Sequence, residues 1–158
     1  MEQITAPTAE LDIEIDAPAD EVWRVVSDAR RIPEWSPVCH RCEWVDGASA
    51  PVVGARFRGH NKLNGARWSR ECEITAATPG EVFAFSTLFK GQESTRWRYR
   101  LEPAGSGTKV SEGYQVVMVP RWVRAMRRLP GAMAKTERDT QKNIETSLDR
   151  LKALIEGS

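Results

Sequence analysis

The sequence predicts an α+β fold: seven antiparallel strands in one meander, two short helices after the first strand, and a long C-terminal helix packed on the sheet. Three observations carry this. Leu11, Ile13 and Ile15 alternate with Asp12, Glu14 and Asp16, the period of a strand with one buried face. Clusters of Gly, Pro and Asn then recur at DGASAPVVG, LNGA, TPGE, FKGQE and PAGSG, close enough together for strands joined by short turns. Beyond Pro130-Gly131 the apolar period changes to three and four, which is that of a helix.

In chain order, the first strand ends before Ala17-Pro18. Proline suits a first helical position because it lacks the N–H that would be orphaned there, and Asp20 and Glu21 favour the positive end of the helix dipole. Val22, Trp23, Val25 and Val26 give that helix its buried side, and it stops near Asp28. A second short helix around Arg30 to Trp35 ends before Pro37, since a residue preceding proline is pushed out of helical dihedrals. Strands follow at residues 38–45, 54–62, 67–76, 82–89, 94–102 and 108–118. Short connections make neighbours antiparallel, and the first strand is expected to pair with the last. RWVRAMRRL, from Arg121, is a short basic amphipathic helix. In the long C-terminal helix Met133, Glu137, Thr140, Ile144, Leu148, Leu151 and Ile155 form one stripe, purely apolar only from Ile144 onward. A helix buried at its C-terminal end and mixed at its start leaves a cavity near the start.

At 158 residues and 41% hydrophobic, the chain is expected to be one domain over residues 1–158, burying roughly 70% of its unfolded surface. No apolar run reaches the ~20 residues of a membrane span, and MEQITAPTAELD is not an export signal, so a cytoplasmic protein is expected. Cys39, Cys42 and Cys72 are odd in number and fit reduced thiols. The net charge of +1 is uneven. Acidic residues crowd the first 29 positions, while Arg121, Arg124, Arg127, Arg128, Lys135 and Arg138 make the C-terminal third basic. Such a segment balances the acidic region or meets an anionic surface.

Alternation assigns the inner faces. Ser69, Glu71 and Glu73 demand solvent, so Trp68, Arg70, Cys72 and Ile74 point in. Trp97, Tyr99 and Leu101 point in beneath outward Arg96, Arg98 and Arg100. On the last strand Val110, Glu112, Tyr114, Val116 and Met118 share the inner face. Phe57, Phe83 and Phe85 join them, with Cys42, Trp44 and His40 from the second strand. Arg70 and Glu112 are unusual inward charges that need partners if buried.

The stretch Ile13 to Pro37, IEIDAPADEVWRVVSDARRIPEWSP, resembles the opening of the START-like (SRPBCC) superfamily, which includes polyketide cyclase/dehydratase proteins and Bet v 1-like ligand carriers. The resemblance implies a helix-grip fold, with a curved sheet wrapped around the long helix. It also implies an internal cavity for a small hydrophobic or aromatic metabolite or a lipid, with a cyclase or aromatase-type enzyme as the alternative. Expected ligand contacts are Trp35, His40, Phe57, Trp68, Phe83, Phe85, Trp97, Tyr114 and Met118, with Met133, Glu137 and Thr140 from the helix. For the cyclase alternative the resemblance implies Arg70 and Tyr99 as the residues that orient ketone oxygens. Arg70 would act electrostatically, with Glu112 or His40 as base.

Other chemistries are excluded by pattern. There is no Gly-rich phosphate loop, G-x-S-x-G elbow or H-E-x-x-H, and no cofactor is expected. Cys39-His-Arg-Cys42 has C-x-x-C spacing, but on a regular strand residues three apart point to opposite faces, so no metal site is expected unless a bulge turns that strand. Arg96-Trp97-Arg98-Tyr99-Arg100 separates its bases and aromatics onto two faces, against a nucleic-acid platform. The segment from Arg121 serves as a lid over the cavity or as a weak membrane contact.

Overall fold

The computed structural model describes residues 9–118, 121–126 and 132–158, without the side chains of Val123, Arg124, Met126 and residues 132–137. Its strands are β1 (Ala9–Ile15), β2 (Cys39–Val45), β3 (Arg56–Leu63), β4 (Ala66–Thr78), β5 (Val82–Phe89), β6 (Gln92–Ala104) and β7 (Gly107–Val116). Helices α1 (Ala19–Val26) and a 3-10 segment (Ala29–Glu34) follow β1, and α2 (Arg121–Met126) and α3 (Ala132–Glu156) follow β7. The expected order of elements is the observed one. The sheet runs β1-β7-β6-β5-β4-β3-β2, antiparallel throughout, so the first strand does pair with the last.

Local chemistry explains the joints. Pro18 is the cap of α1, one place before the expected position, and its carbonyl accepts from the N–H groups of Glu21 and Val22. Asp28 caps the 3-10 segment by accepting from the Arg30 N–H. Asn64 and Gly65 both hold positive φ, 51° and 82°, between the paired residues Leu63 and Ala66. That is the two-residue hairpin for which Asn-Gly is best suited, because its backbone twist matches the strands it joins. The half-buried Trp23 anchors α1 to the sheet by donating from Nε1 to the Val82 carbonyl at 3.2 Å.

The C-terminal half of α3 supplies the core, with Ile144, Leu148, Leu151 and Ile155 all buried. They join Val22, Val26, Ile74, Phe83 and Val110 in one cluster. We predict that Leu151→Ala, at a fully buried position, lowers unfolding free energy by about 2–5 kcal/mol in urea titrations. A loss below about 1 kcal/mol would mean that α3 is not held by this stripe.

Strand β2 departs from regular alternation. Its register with β3 shifts between Cys39 and Arg41, where Cys39 pairs with Asn61 and Arg41 with His60. His40 is the extra residue of this bulge and is exposed, so the expectation that it faces inward beside Cys42 is corrected. A bulge inserts one residue, which reverses the parity of everything before it. Cys39, not His40, therefore shares the inner side with Cys42.

Candidate functional site

Between the inner face of the sheet and the middle of α3 lies a cavity of about 400 Å³, within the range of small-molecule pockets. Thr140, Asn143, Ile144 and Ser147 of α3 form one side of it. They fall where the α3 stripe ceases to be apolar. Phe57, Trp68, Phe85, Trp97 and Tyr114 give the sheet side an aromatic lining. Trp97 and Tyr114 are cross-strand partners with ring centroids 4.7 Å apart, and Phe57 meets Phe85 edge-on at 5.1 Å.

One stretch of the wall is polar. Tyr99 on β6 and Glu112 on β7 stand directly opposite each other, and both line the cavity. The Tyr99 hydroxyl donates to Glu112 Oε1 at 3.0 Å and accepts from Trp35 Nε1 at 3.2 Å. Trp35 comes from the end of the 3-10 segment and is completely buried. It is held there because the helix stops short of Pro37 and turns the indole inward. Glu112 is only 3% exposed, and its Oε2 has no hydrogen-bond partner among the described residues. Burial dominates its acidity, pushing the carboxyl up to about 8 against a smaller opposing effect of the Tyr99 hydrogen bond. The side chain is thus mostly a neutral acid at pH 7, with a proton to donate. Burial, followed by the neighbouring Glu112, raises Tyr99 well above an ordinary phenol.

Arg70 also borders the cavity but does not join this group. Its guanidinium lies over the Phe89 ring, 5.2 Å from the centroid, and donates to the Ser69 carbonyl. Phe89 pairs with Gln92, and Tyr99 is seven residues further along β6, roughly 20 Å of strand. Arg70 and Glu112 therefore do not form the ion pair that two inward charges would favour. Arg70 solves its burial by staying half-exposed near the β3–β4 hairpin, and Glu112 by keeping its proton.

Of the other expected contacts, Phe57, Trp68, Phe85, Trp97, Tyr114 and Thr140 line the cavity. Phe83, Trp35 and Met118 are buried but are not among its lining residues. Phe83 belongs to the core and Trp35 stands behind Tyr99. His40 is outside, for the reason given by the bulge. The side chains of Met133 and Glu137 lie outside those described. The cavity also has Cys39, Cys42 and Cys72 in its wall, with Gly59, Asn61 and Leu63 of β3. Alternation from Phe57 identifies that β3 set, and helical spacing from Thr140 identifies Asn143 and Ser147, but the bulge hides Cys39.

On the outer face Arg96 pairs with Glu93, Arg98 with Glu10, and Arg100 with Glu10 and Glu102. Ser69 Oγ lies 3.0 Å from His60 Nδ1, and His60 Nε2 lies 2.9 Å from Glu43 Oε1, across β4, β3 and β2. This row stands on the solvent side of the sheet, away from the cavity, and Arg41 contacts both Glu43 and His60. Among the described residues no group of three or more His, Cys, Asp or Glu side chains is placed to hold a metal ion. Likewise no described helix is long and apolar enough to cross a membrane. Trp122 on α2 is 65% exposed; the remainder of the basic segment, from Arg127, lies outside the described residues.

The sequence model of the family described as "Polyketide cyclase / dehydrase and lipid transport" matches residues 6–156. No curated protein sequence matches the chain. Among solved structures, the polyketide-cyclase-like protein Cgl2372 from Corynebacterium glutamicum is 30% identical, with 94% of this chain and 91% of that one covered and a TM-score of 0.62. The di-domain aromatase/cyclase BexL from the BE-7585A biosynthetic pathway is 23% identical with a TM-score of 0.70, and 96% of this chain spans 47% of it. Ara h 8.0201 is 15% identical, with 96% and 99% covered and a TM-score of 0.68. The last two likenesses concern the fold alone: a curved seven-stranded antiparallel sheet with a C-terminal helix, the helix-grip arrangement.

Proposed function

Since the chain belongs to the family of polyketide cyclases/dehydrases and lipid-transport proteins, we propose that its cavity binds a small apolar, largely aromatic molecule carrying one hydrogen-bond acceptor. The observation that carries this reading is the coexistence of an aromatic lining with one buried acid whose Oε2 lacks a partner among the described residues. Aromatic walls favour a flat apolar body through area and ring contacts. The neutral Glu112 favours a carbonyl or hydroxyl oxygen over a carboxylate, because a negative charge buried beside it has no cation within reach, Arg70 lying at the far end of the wall. Ligands of this kind are oriented by a few polar groups in an otherwise apolar pocket.

The test compares 2-acetylnaphthalene with naphthalene by calorimetric or fluorescence titration. One net hydrogen bond makes the ketone bind about fivefold more tightly, and Glu112→Leu erases the difference while keeping the affinity for naphthalene. A preference that survives Glu112→Leu, or no preference in the wild type, overturns the proposal.

A second reading, an aromatase/cyclase-type enzyme in the same cavity, is favoured by one observation. A carboxyl with a pKa of about 8 lies close enough to neutral pH to take a proton from carbon and return it. In that role the ionised Glu112 removes an acidic proton between two ketones, and the Tyr99 hydroxyl donates to the enolate oxygen. Loss of water from a linear poly-β-ketone analogue, followed by mass spectrometry and abolished in Glu112→Gln, supports this reading. An unchanged substrate rejects it.

A further inference from the structure

The three cysteines are free thiols, and neither ligand binding nor the acid at Glu112 uses them. Two of them are brought together by the irregularity in β2. The bulge at His40 turns Cys39 onto the inner face that Cys42 already occupies, and both line the cavity. Cys42 pairs across the strands with Gly59. Gly59 has no side chain, and the place where a Cβ would stand is 3.5 Å from Cys39 Sγ. The Cys39 sulfur thus fills the gap beside Cys42's own cross-strand partner. Cys72 is on β4, opposite Phe57 and two strands from Cys42, which sets it apart from the pair.

We propose that Cys39 and Cys42 are a peroxide-sensitive dithiol that closes reversibly to a disulfide in the wall of the cavity. The two sulfurs are not equivalent. Cys39 is half-exposed and Cys42 is buried. A hydrogen bond from the Cys42 thiol favours ionised Cys39, with smaller help from the backbone at Arg41 and His60. The same hydrogen bond and burial hold Cys42 protonated, and burial does so for Cys72. Cys39 is therefore the attacking sulfur, since the thiolate is the nucleophile.

In the first step the Cys39 thiolate attacks one oxygen of hydrogen peroxide, the O–O bond breaks, and the departing hydroxide takes a proton to become water. Cys39 is left as the sulfenic acid. In the second step Cys42 sulfur attacks Cys39 sulfur, and the hydroxyl leaves as water with the Cys42 thiol proton. Two electrons pass from the two thiols to the peroxide, and an external thiol reverses the change by exchange. Closure also removes the Cys39 S–H that donates to the Arg41 carbonyl. It ties the start of β2, next to Pro37 and Val38 in the cavity wall, to the strand interior.

The chain itself simplifies the test. Trypsin cuts after Arg41, between the two cysteines, so IPEWSPVCHR and CEWVDGASAPVVGAR separate in the reduced protein. Reduced wild-type protein is exposed to hydrogen peroxide and its intact mass is recorded; any remaining thiols are then alkylated and the tryptic map is recorded. The expected result is a loss of about 2 Da, two hydrogens, with these two peptides linked to each other and Cys72 alkylated. The mass returns to that of the reduced chain on treatment with dithiothreitol. Cys72→Ser leaves the linkage intact, whereas Cys42→Ser stops at a sulfenic acid on Cys39 that dimedone traps. A bridge involving Cys72, linkage only between molecules, or three thiols that all alkylate after peroxide overturns the proposal. The wild-type map decides even if a variant fails to fold. It is read without ligand, so it stands apart from the outcome of the naphthalene titrations.

Discussion

Glu112→Gln is expected to raise the stability of the protein at pH 8 by about 4 kcal/mol and to leave it nearly unchanged at pH 4.5. The reason is linkage. In the folded chain the carboxyl keeps its proton until about pH 8, against 4.5 ordinarily. The folded state then binds more protons than the unfolded state across that interval. Stability from this group is fully present below the ordinary value and is lost as pH rises toward the folded one. Glutamine has nearly the same shape, still accepts from Tyr99 through its amide oxygen, and has no proton to lose. Urea unfolding of both proteins at pH 4.5, 6 and 8 isolates the residue, because every other titrating group is common to both. The difference is expected to widen steadily with pH. A difference that stays constant, or that shrinks with pH, means that Glu112 is ionised in the folded chain.

Trp35→Ala is expected to cost about 3–5 kcal/mol, the range for deleting a buried large aromatic side chain. Trp35→Phe is expected to cost only about 1–3 kcal/mol, chiefly for the lost donor to the Tyr99 hydroxyl. The contrast follows from position. Trp35 is fully buried and does not line the cavity, so its role is to fill space and fix Tyr99. Trp35→Phe is accordingly expected to retain affinity for naphthalene within about twofold while weakening the preference for the ketone. Urea unfolding and the two titrations check both halves. A large loss of naphthalene affinity in a stable Trp35→Phe protein would make Trp35 a ligand contact after all.

How much of this was legible in the sequence depends on what each feature requires. Strand and helix order follow from local periodicity, which Leu11, Ile13 and Ile15 or Ile144 through Ile155 display without help from distant residues. The stripe pointed to a cavity near the start of α3, whereas the α3 residues that line it, Thr140 to Ser147, stand at the middle of the helix, beside the point where Thr140 interrupts the stripe. The inner faces of β4 and β6 were legible because charged residues marked their outer sides, and that of β7 because Val110 and Val116 marked its inner one. Strand β2 was not, because a single bulged residue reverses parity and a sequence with Cys, His and Arg in a row gives no sign of where the extra residue sits. The separation of Arg70 from Tyr99 was hidden for another reason. Inward direction is a property of one strand, but the level along the sheet depends on every register between β4 and β6. The Ser69–His60–Glu43 row was hidden likewise, since three strands had to be aligned before it existed.

The most direct test of the central claim, a ligand cavity between the sheet and the middle of α3, is a titration with N-phenyl-1-naphthylamine, whose fluorescence rises in apolar surroundings. It is run on the wild type and on Asn143→Trp, which puts a large ring into the α3 side of the cavity at a half-buried position. Circular dichroism confirms that the variant is folded. The expected result is saturable binding at one site in the wild type, weakened at least about tenfold in the variant, as overfilling a pocket of this size requires. Absence of saturable binding to the wild type, or equal affinity in the folded variant, contradicts the account.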